Sequence, residues 1–146
     1  SLSTFLGNIA GIFEAALKER NLYLKIQIEP QDLRARLDPY RMEQVMVNLI
    51  DNAIRYTAFG GITVTARRED QELIIVVKDS GKGIPKEQLA RVFERFYTVD
   101  HSRSRSTGGT GLGLSIVKHI VLSHQGKIEL DSDLGKGSSF RICIPQ

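Results

Sequence analysis

Two β-rich runs, "ITVTARR" at 62–68 and "ELIIVVKD" at 72–79, flank the polar tip Glu69–Glu72. This spacing predicts a hairpin, the clearest in the chain. It fixes a sheet first, and every other segment must pair with that sheet or cover it. "KIELDS" and "SSFRICI", around Gly135 and Gly137, predict a second hairpin at the C-terminal end. "LYLKIQI" at 22–28 alternates and reads as a strand that Pro30 ends, and "LRARL" at 33–37 reads as a short further strand.

The covering elements follow from helical periodicity. Residues 4–20 place Phe5, Ile9, Ile12, Phe13, Ala16 and Leu17 at helical spacing. Asp38-Pro39 reads as an N-cap followed by proline at the first helical position. The helix it opens, over about 40–57, carries Met42, Val45, Met46, Leu49, Ile50, Ala53 and Ile54 on one stripe. A short helix is expected near 86–90. Residues 98–110 have no periodicity and read as a loop long enough to move. A last helix is expected over 111–124, with Gly126 near its C-terminal cap. Helices on one face of a mixed, largely antiparallel sheet give an α/β two-layer sandwich. The 146 residues suit one domain, spanning 1–146.

Bulk properties exclude more than they assign. No apolar run approaches bilayer length, and no signal-peptide pattern follows Ser1, a start expected of a fragment or a processed chain. The single Cys143 has no internal disulfide partner and is expected to pack as a small hydrophobe. The formal charge of +3 is modest. The one basic cluster, "HSRSRS" at 101–106, fits either a phosphate-meeting segment or a solvated loop; alone it is weak evidence for nucleic acid, and no nucleic-acid partner is expected.

Three polar constellations carry the chemistry. In "GGTGLGLSIV", Gly109, Gly111 and Gly113 directly precede an apolar helix. A helix N-terminus offers unpaired N–H groups and a positive dipole end, and glycines let backbone close around an anion. A phosphate cradle and an unliganded tight turn both fit. No Walker A loop, dinucleotide fingerprint or protein-kinase signature set is present. Asn48 and Asn52, one turn apart, share a face that Arg55 and Tyr56 continue. Asparagine is unfavourable inside a helix unless its amide finds a partner, so this face lines a ligand or bonds across the core or to solvent. In "VVKDSGKGIP", Asp79 ends an apolar strand and Gly81 and Gly83 turn the chain. A carboxylate there can accept from an exocyclic amine such as adenine's, or can simply make an Asp-Ser-Gly turn.

In this order the segments resemble the catalytic ATP-binding domain of sensor histidine kinases. "NLIDNAIRYT" is similar to the N box, "DSGKGIP" to the G1 box, "FERFY" to the F box and "GGTGLGL" to the G2 box, and "GKGSSF" resembles the last adenine-side motif. The resemblance covers nearly the whole chain. It implies the Bergerat fold shared with gyrase, the ninety-kilodalton chaperones and mismatch-repair ATPases, with ATP and Mg²⁺ as cofactors. By that resemblance Asn52 holds Mg²⁺, Asn48 takes the first N-box position, and Arg55 and Tyr56 meet the nucleotide. Asn48 and Arg55 are the residues assigned to catalysis. Asp79 reads the adenine amine, with Gly81, Gly83 and Ile84 beside it and Ser138 where threonine is usual. Phe93 and Phe96 anchor one end of a lid, with Tyr97 following. Arg105 contacts phosphate, and Gly109, Thr110, Gly111, Leu112, Gly113 and Leu114 form the other hinge and the phosphate-facing helix start.

Two departures and one absence stand out. Thr98 replaces an arginine common in relatives, leaving Arg103 or Arg105 to supply that contact, and Gln125 stands where glycine is common. No histidine has a carboxylate as its next neighbour; His101, His119 and His124 are expected in structural or solvent roles. The resemblance therefore implies transfer of the γ-phosphoryl group of ATP to a histidine on a separate dimerisation and phosphoacceptor domain, then to a response-regulator receiver domain. It implies a homodimeric full-length protein, a fragment free to be monomeric, and a cytoplasmic position compatible with a membrane anchor elsewhere. A hydrolytic ATPase of the gyrase kind would need a glutamate where Asn48 stands. A regulatory pseudokinase without transfer activity and a serine kinase of the anti-sigma type would share the nucleotide site and differ in the acceptor.

Overall fold

The structure, a computed structural model, describes residues 1–97 and 113–146. In chain order it has α1 (Leu2–Ile12), α2 (Glu14–Glu19), β1 (Tyr23–Glu29), α3 (Pro39–Tyr56), β2 (Gly61–Glu69) and β3 (Glu72–Asp79). A 3₁₀ turn (Lys86–Gln88), α4 (Gly113–Ser123), β4 (Lys127–Asp133) and β5 (Gly137–Pro145) complete it. The strands form one sheet in the order β1-β2-β3-β5-β4. Both expected hairpins are present, and among the described strands only β1 and β2 run parallel. A parallel pair needs a crossover, and α3 supplies it.

Helices cover one face of the sheet. Ile62, Val64, Leu73, Ile75, Val77, Phe140 and Ile142 pack with the buried stripe of α3 and with Leu2, Leu6, Val117 and Val121 in one apolar core. All seven apolar positions expected on α3 are buried. Burying each large aliphatic side chain contributes about 1.5–3 kcal/mol before entropy is counted. The arrangement is the expected two-layer α/β sandwich. Asp38 caps α3 through Oδ1, which accepts from the N–H groups of Tyr40 and Arg41, and Pro39 takes the first turn.

Three expectations change. The first helix breaks at Phe13 into α1 and α2; Phe13 stays buried, whereas Ile12, expected on the same apolar stripe, is exposed. Residues 33–37 form no strand. Their backbone instead bonds to the start of α1 and to the residue after β5: Leu33 O accepts from Leu2 N–H, and Arg36 N–H donates to Gln146 Oε1 at 2.8 Å. The helix near 86–90 is a single 3₁₀ turn. Cys143 is buried as expected, paired with Ile74 on the face of the sheet opposite the main core.

The end of α4 explains Gln125. Gly126 N–H bonds to Val121 O and Gln125 N–H to Leu122 O, with Gln125 in the left-handed region at φ 59°. This is a Schellman ending in which glutamine holds the position that glycine usually takes. Beyond it, His124 Nδ1–H faces Ile120 O at 2.9 Å and Nε2 accepts from Asp38 N–H at 3.1 Å. This ring ties the end of α4 to the start of α3, a structural role of the expected kind.

Candidate functional site

The strand register places a polar row at one end of the helix-facing side of the sheet. Ile62 pairs with Asp79, Lys78 with Ser139, and Ser132 with Ser138. Asp79, Ser138 and Ser132 therefore lie side by side on β3, β5 and β4. One step inward the same strands carry Val77, Phe140 and Leu130. Polar groups at the edge of an apolar layer must be hydrogen-bonded, and these are.

Asp79 is 8% exposed. Its Oδ1 accepts from Gly81 N–H at 2.9 Å and from Ser138 N–H at 3.2 Å. Among the described residues no group donates to Oδ2. Burial pushes the carboxyl above the usual aspartate range, while the two backbone donors pull it back towards the charged form. The outcome is a rigid carboxyl with one oxygen held and one available to a donor.

The glycines around Asp79 serve the protein's own backbone. A Cβ on Gly81 would meet Tyr56 O and Asp79 Oδ1, and one on Gly83 would strike Asp133 O. Gly83 also has φ +75°. A Cβ on Gly137, at φ +101°, would collide with Asp79 O. Lys82 N–H donates to Tyr56 O at 3.2 Å, and Lys82 Nζ lies 5.1 Å from the centre of the Tyr56 ring. The loop after β3 is thereby fastened to the end of α3. Ile84 N–H donates to Ser132 Oγ at 2.8 Å, which fastens it to β4 as well.

The asparagine face lies on α3. Asn48 is half-buried, and its Nδ2 donates to Gln44 O at 2.9 Å. A Cβ on Gly113, the first residue of α4, would stand 3.1 Å from Asn48 Oδ1. The start of α4 thus abuts this face. Asn52, one turn on, is half-buried and has no hydrogen-bond partner among the described residues. Arg55 forms an ion pair with Asp51 at 2.9 Å. Its guanidinium carries five donors, so this pairing leaves others available.

The remaining expected residues divide. Leu114 packs against the core. Phe93 meets Phe140 edge-on at 6.2 Å between ring centres. Phe96, expected as a second anchor, is instead 66% exposed with φ 65°, under the Arg95 guanidinium. A left-handed backbone there turns its side chain out of the layer that Phe93 joins. Tyr97 OH donates to Gln88 Oε1 at 2.7 Å. Thr98, His101, Arg103, Arg105, Gly109, Thr110, Gly111 and Leu112 lie outside the described residues.

Two residues escape the sequence reading. Ser132 is a buried hydroxyl at an inward position of β4, where Ile128 and Leu130 are its inward neighbours. A lone serine on an apolar stripe is the signal that could have found it. Lys82 sits unremarked between the two glycines that flank it.

The donor set is consistent with a nucleotide and magnesium. Mg²⁺ favours hard oxygen donors and keeps waters and phosphates among its ligands, so one carboxamide oxygen suits it. No group of three or more His, Cys, Asp or Glu side chains able to hold a metal occurs among the described residues. The unpartnered Asn52 carboxamide and the open oxygen of Asp79 are the positions left for outside partners.

Comparison with known proteins gives a consistent result. The family described as histidine kinase-, DNA gyrase B-, and HSP90-like ATPase matches residues 37–146. The sensor protein SrrB of Staphylococcus aureus is 50% identical over 110 residues, which is 75% of this chain and 19% of that protein. The chain thus spans about one fifth of the length of the curated relatives it matches. The nucleotide-free catalytic domain of histidine kinase ThkA superposes with a TM-score of 0.86 at 32% identity, covering 99% of this chain and 91% of that one. ThkA in complex with the response regulator TrrA gives 0.82 at 29% identity, covering 99% and 40%. Full-length ShkA in complex with AMPPNP gives 0.87 at 27% identity, covering 99% and 30%.

Proposed function

This chain belongs to the histidine kinase-, DNA gyrase B-, and HSP90-like ATPase family, and we propose that it is the ATP-binding catalytic domain of a sensor histidine kinase. In this reading it binds Mg-ATP and passes the γ-phosphoryl group to a histidine on a separate dimerisation and phosphoacceptor domain. A response-regulator receiver domain is the next acceptor, in keeping with the ThkA–TrrA complex. No helix among the described residues is long and apolar enough to cross a membrane. A cytoplasmic position, with any anchor elsewhere in a longer chain, belongs to the same proposal.

The observation that carries the reading is the divided Asp79 carboxyl: Oδ1 held by Gly81 and Ser138 N–H groups, Oδ2 unpartnered among the described residues. Such an oxygen accepts from an adenine amine and repels a carbonyl oxygen. Asn52 would hold Mg²⁺ through its carboxamide oxygen. Arg55 would offer phosphates the donors that Asp51 leaves open, and the start of α4 would add backbone N–H groups. When bound, the metal neutralises charge on the transferred phosphoryl group. The chain's own part is to bind, orient and stabilise charge.

Hydrolysis is disfavoured at the same place. Asn48 is an amide with its Nδ2 committed to Gln44 O. It cannot take a proton from water at neutral pH. Glu43 is exposed and lies on a different side of α3. Titration calorimetry with ATP and GTP in the presence of Mg²⁺ tests the reading. Binding of ATP well above GTP is expected; equal affinity rejects the role given to Asp79.

A further inference from the structure

Ser132 lies outside the residues given contact with the nucleotide, yet it touches three of the parts that would form the base pocket. Its Oγ accepts from Ile84 N–H at 2.8 Å, donates to Gly137 O at 3.0 Å and lies 2.8 Å from Ser138 Oγ. A serine hydroxyl has one proton and two lone pairs. An N–H must donate and a carbonyl must accept. The Ser132 proton is therefore on Gly137 O, and one lone pair takes Ile84 N–H. The third contact can be made only if Ser138 O–H donates to the second lone pair.

The consequence falls on Ser138. Its proton is committed to Ser132, so any group reaching Ser138 Oγ from the site meets lone pairs. Its backbone N–H already donates to Asp79 Oδ1. Ser138 Oγ and Asp79 Oδ2 then present acceptors from neighbouring strands at one end of the sheet. A purine with an amine at position six brings donors to such a wall. A purine with an oxygen there brings an acceptor to that position, which the wall leaves unpaired or repels, and only its N1–H remains as a donor.

We propose that Ser132 is a specificity-determining positioning residue: by fixing the hydroxyl of Ser138 as an acceptor, it selects 6-aminopurine over 6-oxopurine nucleotides. The inference rests on the nucleotide-binding reading above and extends it to a residue that does not touch the base. Without Ser132, the Ser138 hydroxyl is free to rotate and donate. Discrimination then depends on Asp79 alone.

The test compares ATP with inosine triphosphate, with Mg²⁺, by titration calorimetry on the parent chain, Ser132→Ala, Ser138→Ala and the double variant. The parent should prefer ATP. Ser132→Ala should lower the ATP-to-inosine-triphosphate affinity ratio about five- to tenfold, the range of one hydrogen bond. Ser138→Ala keeps the Ile84 and Gly137 contacts of Ser132, so it tests the same wall if Ser132→Ala folds poorly. It should lower the ratio to a similar extent. The double variant should match Ser138→Ala, because the two residues act as one unit. Equal weakening of both nucleotides by Ser132→Ala, or an unchanged ratio in Ser138→Ala, overturns the inference while leaving nucleotide binding intact. A parent chain that binds neither nucleotide overturns the functional reading and the inference with it.

Discussion

Ser138 donates its backbone N–H to Asp79 Oδ1 across 3.2 Å, joining the start of β5 to the end of β3. This bond and its partner from Gly81 fix the carboxyl without occupying its second oxygen. Asparagine can keep both bonds through its own carbonyl oxygen while turning an amide towards the site. Asp79→Asn should therefore weaken ATP about ten- to a hundredfold, the loss of a hydrogen bond to a charged group worth roughly 1.5–3 kcal/mol. Titration calorimetry reads it.

The same substitution should not destabilise the empty protein at neutral pH. Burial raises the Asp79 carboxyl above its ordinary 3.8 in the folded state. A carboxyl raised on folding favours the fold most below its unfolded value, and that contribution is lost as pH rises through the folded value. Asparagine has no such loss. Its unfolding midpoint in urea should equal or exceed that of the parent at pH 7, and fall below it only at acid pH.

Asn52→Ala separates binding from folding. The side chain has no partner among the described residues, and alanine is the better helix former by up to about 0.7 kcal/mol. The variant should melt at or slightly above the parent temperature. Its thermal stabilisation by Mg-ATP should be lost. A large fall in the melting temperature without nucleotide would assign Asn52 to the fold instead.

Gly83→Ala should act in the opposite sense. Its φ of +75° is unfavourable for a side chain by about 1–2 kcal/mol, and a Cβ would also strike Asp133 O. Loss of stability of at least that size in chemical denaturation is expected, with or without ATP. Gly135→Ala, also at positive φ but with no atom within 4 Å of the added Cβ, should show only the backbone part.

Much of this molecule is legible from its sequence because one covered face imposes a period. The stripe from Met42 to Ile54 marks α3, and the two hairpins mark most of the sheet. The misreading of 33–37 has a physical cause. Leu33, Ala35 and Leu37 do turn towards the core. Alternation reports which side chains are buried, whereas a strand also needs a neighbouring ladder, and Arg36 bonds to Gln146 instead. Phe13 keeps its place in the core across a break, so spacing alone does not reveal where α1 ends. In the site, Asp79 and the asparagine face stand out because they interrupt apolar patterns. The reason for Gly81 and Gly83 does not, since Tyr56 O and Asp133 O are brought near only by the fold. The role of Ser132, though not its oddity on an apolar stripe, is hidden for the same reason, because its partners come from the loop after β3 and from β5.

The most direct test of phosphoryl transfer is a mixing experiment. The chain is combined with γ-labelled ATP, Mg²⁺ and a separately supplied phosphoacceptor domain from its own full-length protein, and acid-labile, base-stable label on that domain is followed. Label should appear on the acceptor, be absent with Asn52→Ala or when the acceptor histidine is replaced, and phosphate release should be negligible when the acceptor is omitted. Transfer should be slow, because the two pieces lack the effective concentration of a tether. Rapid phosphate release without acceptor, or tight ATP binding with no label on the acceptor at any concentration, would contradict the proposed transfer.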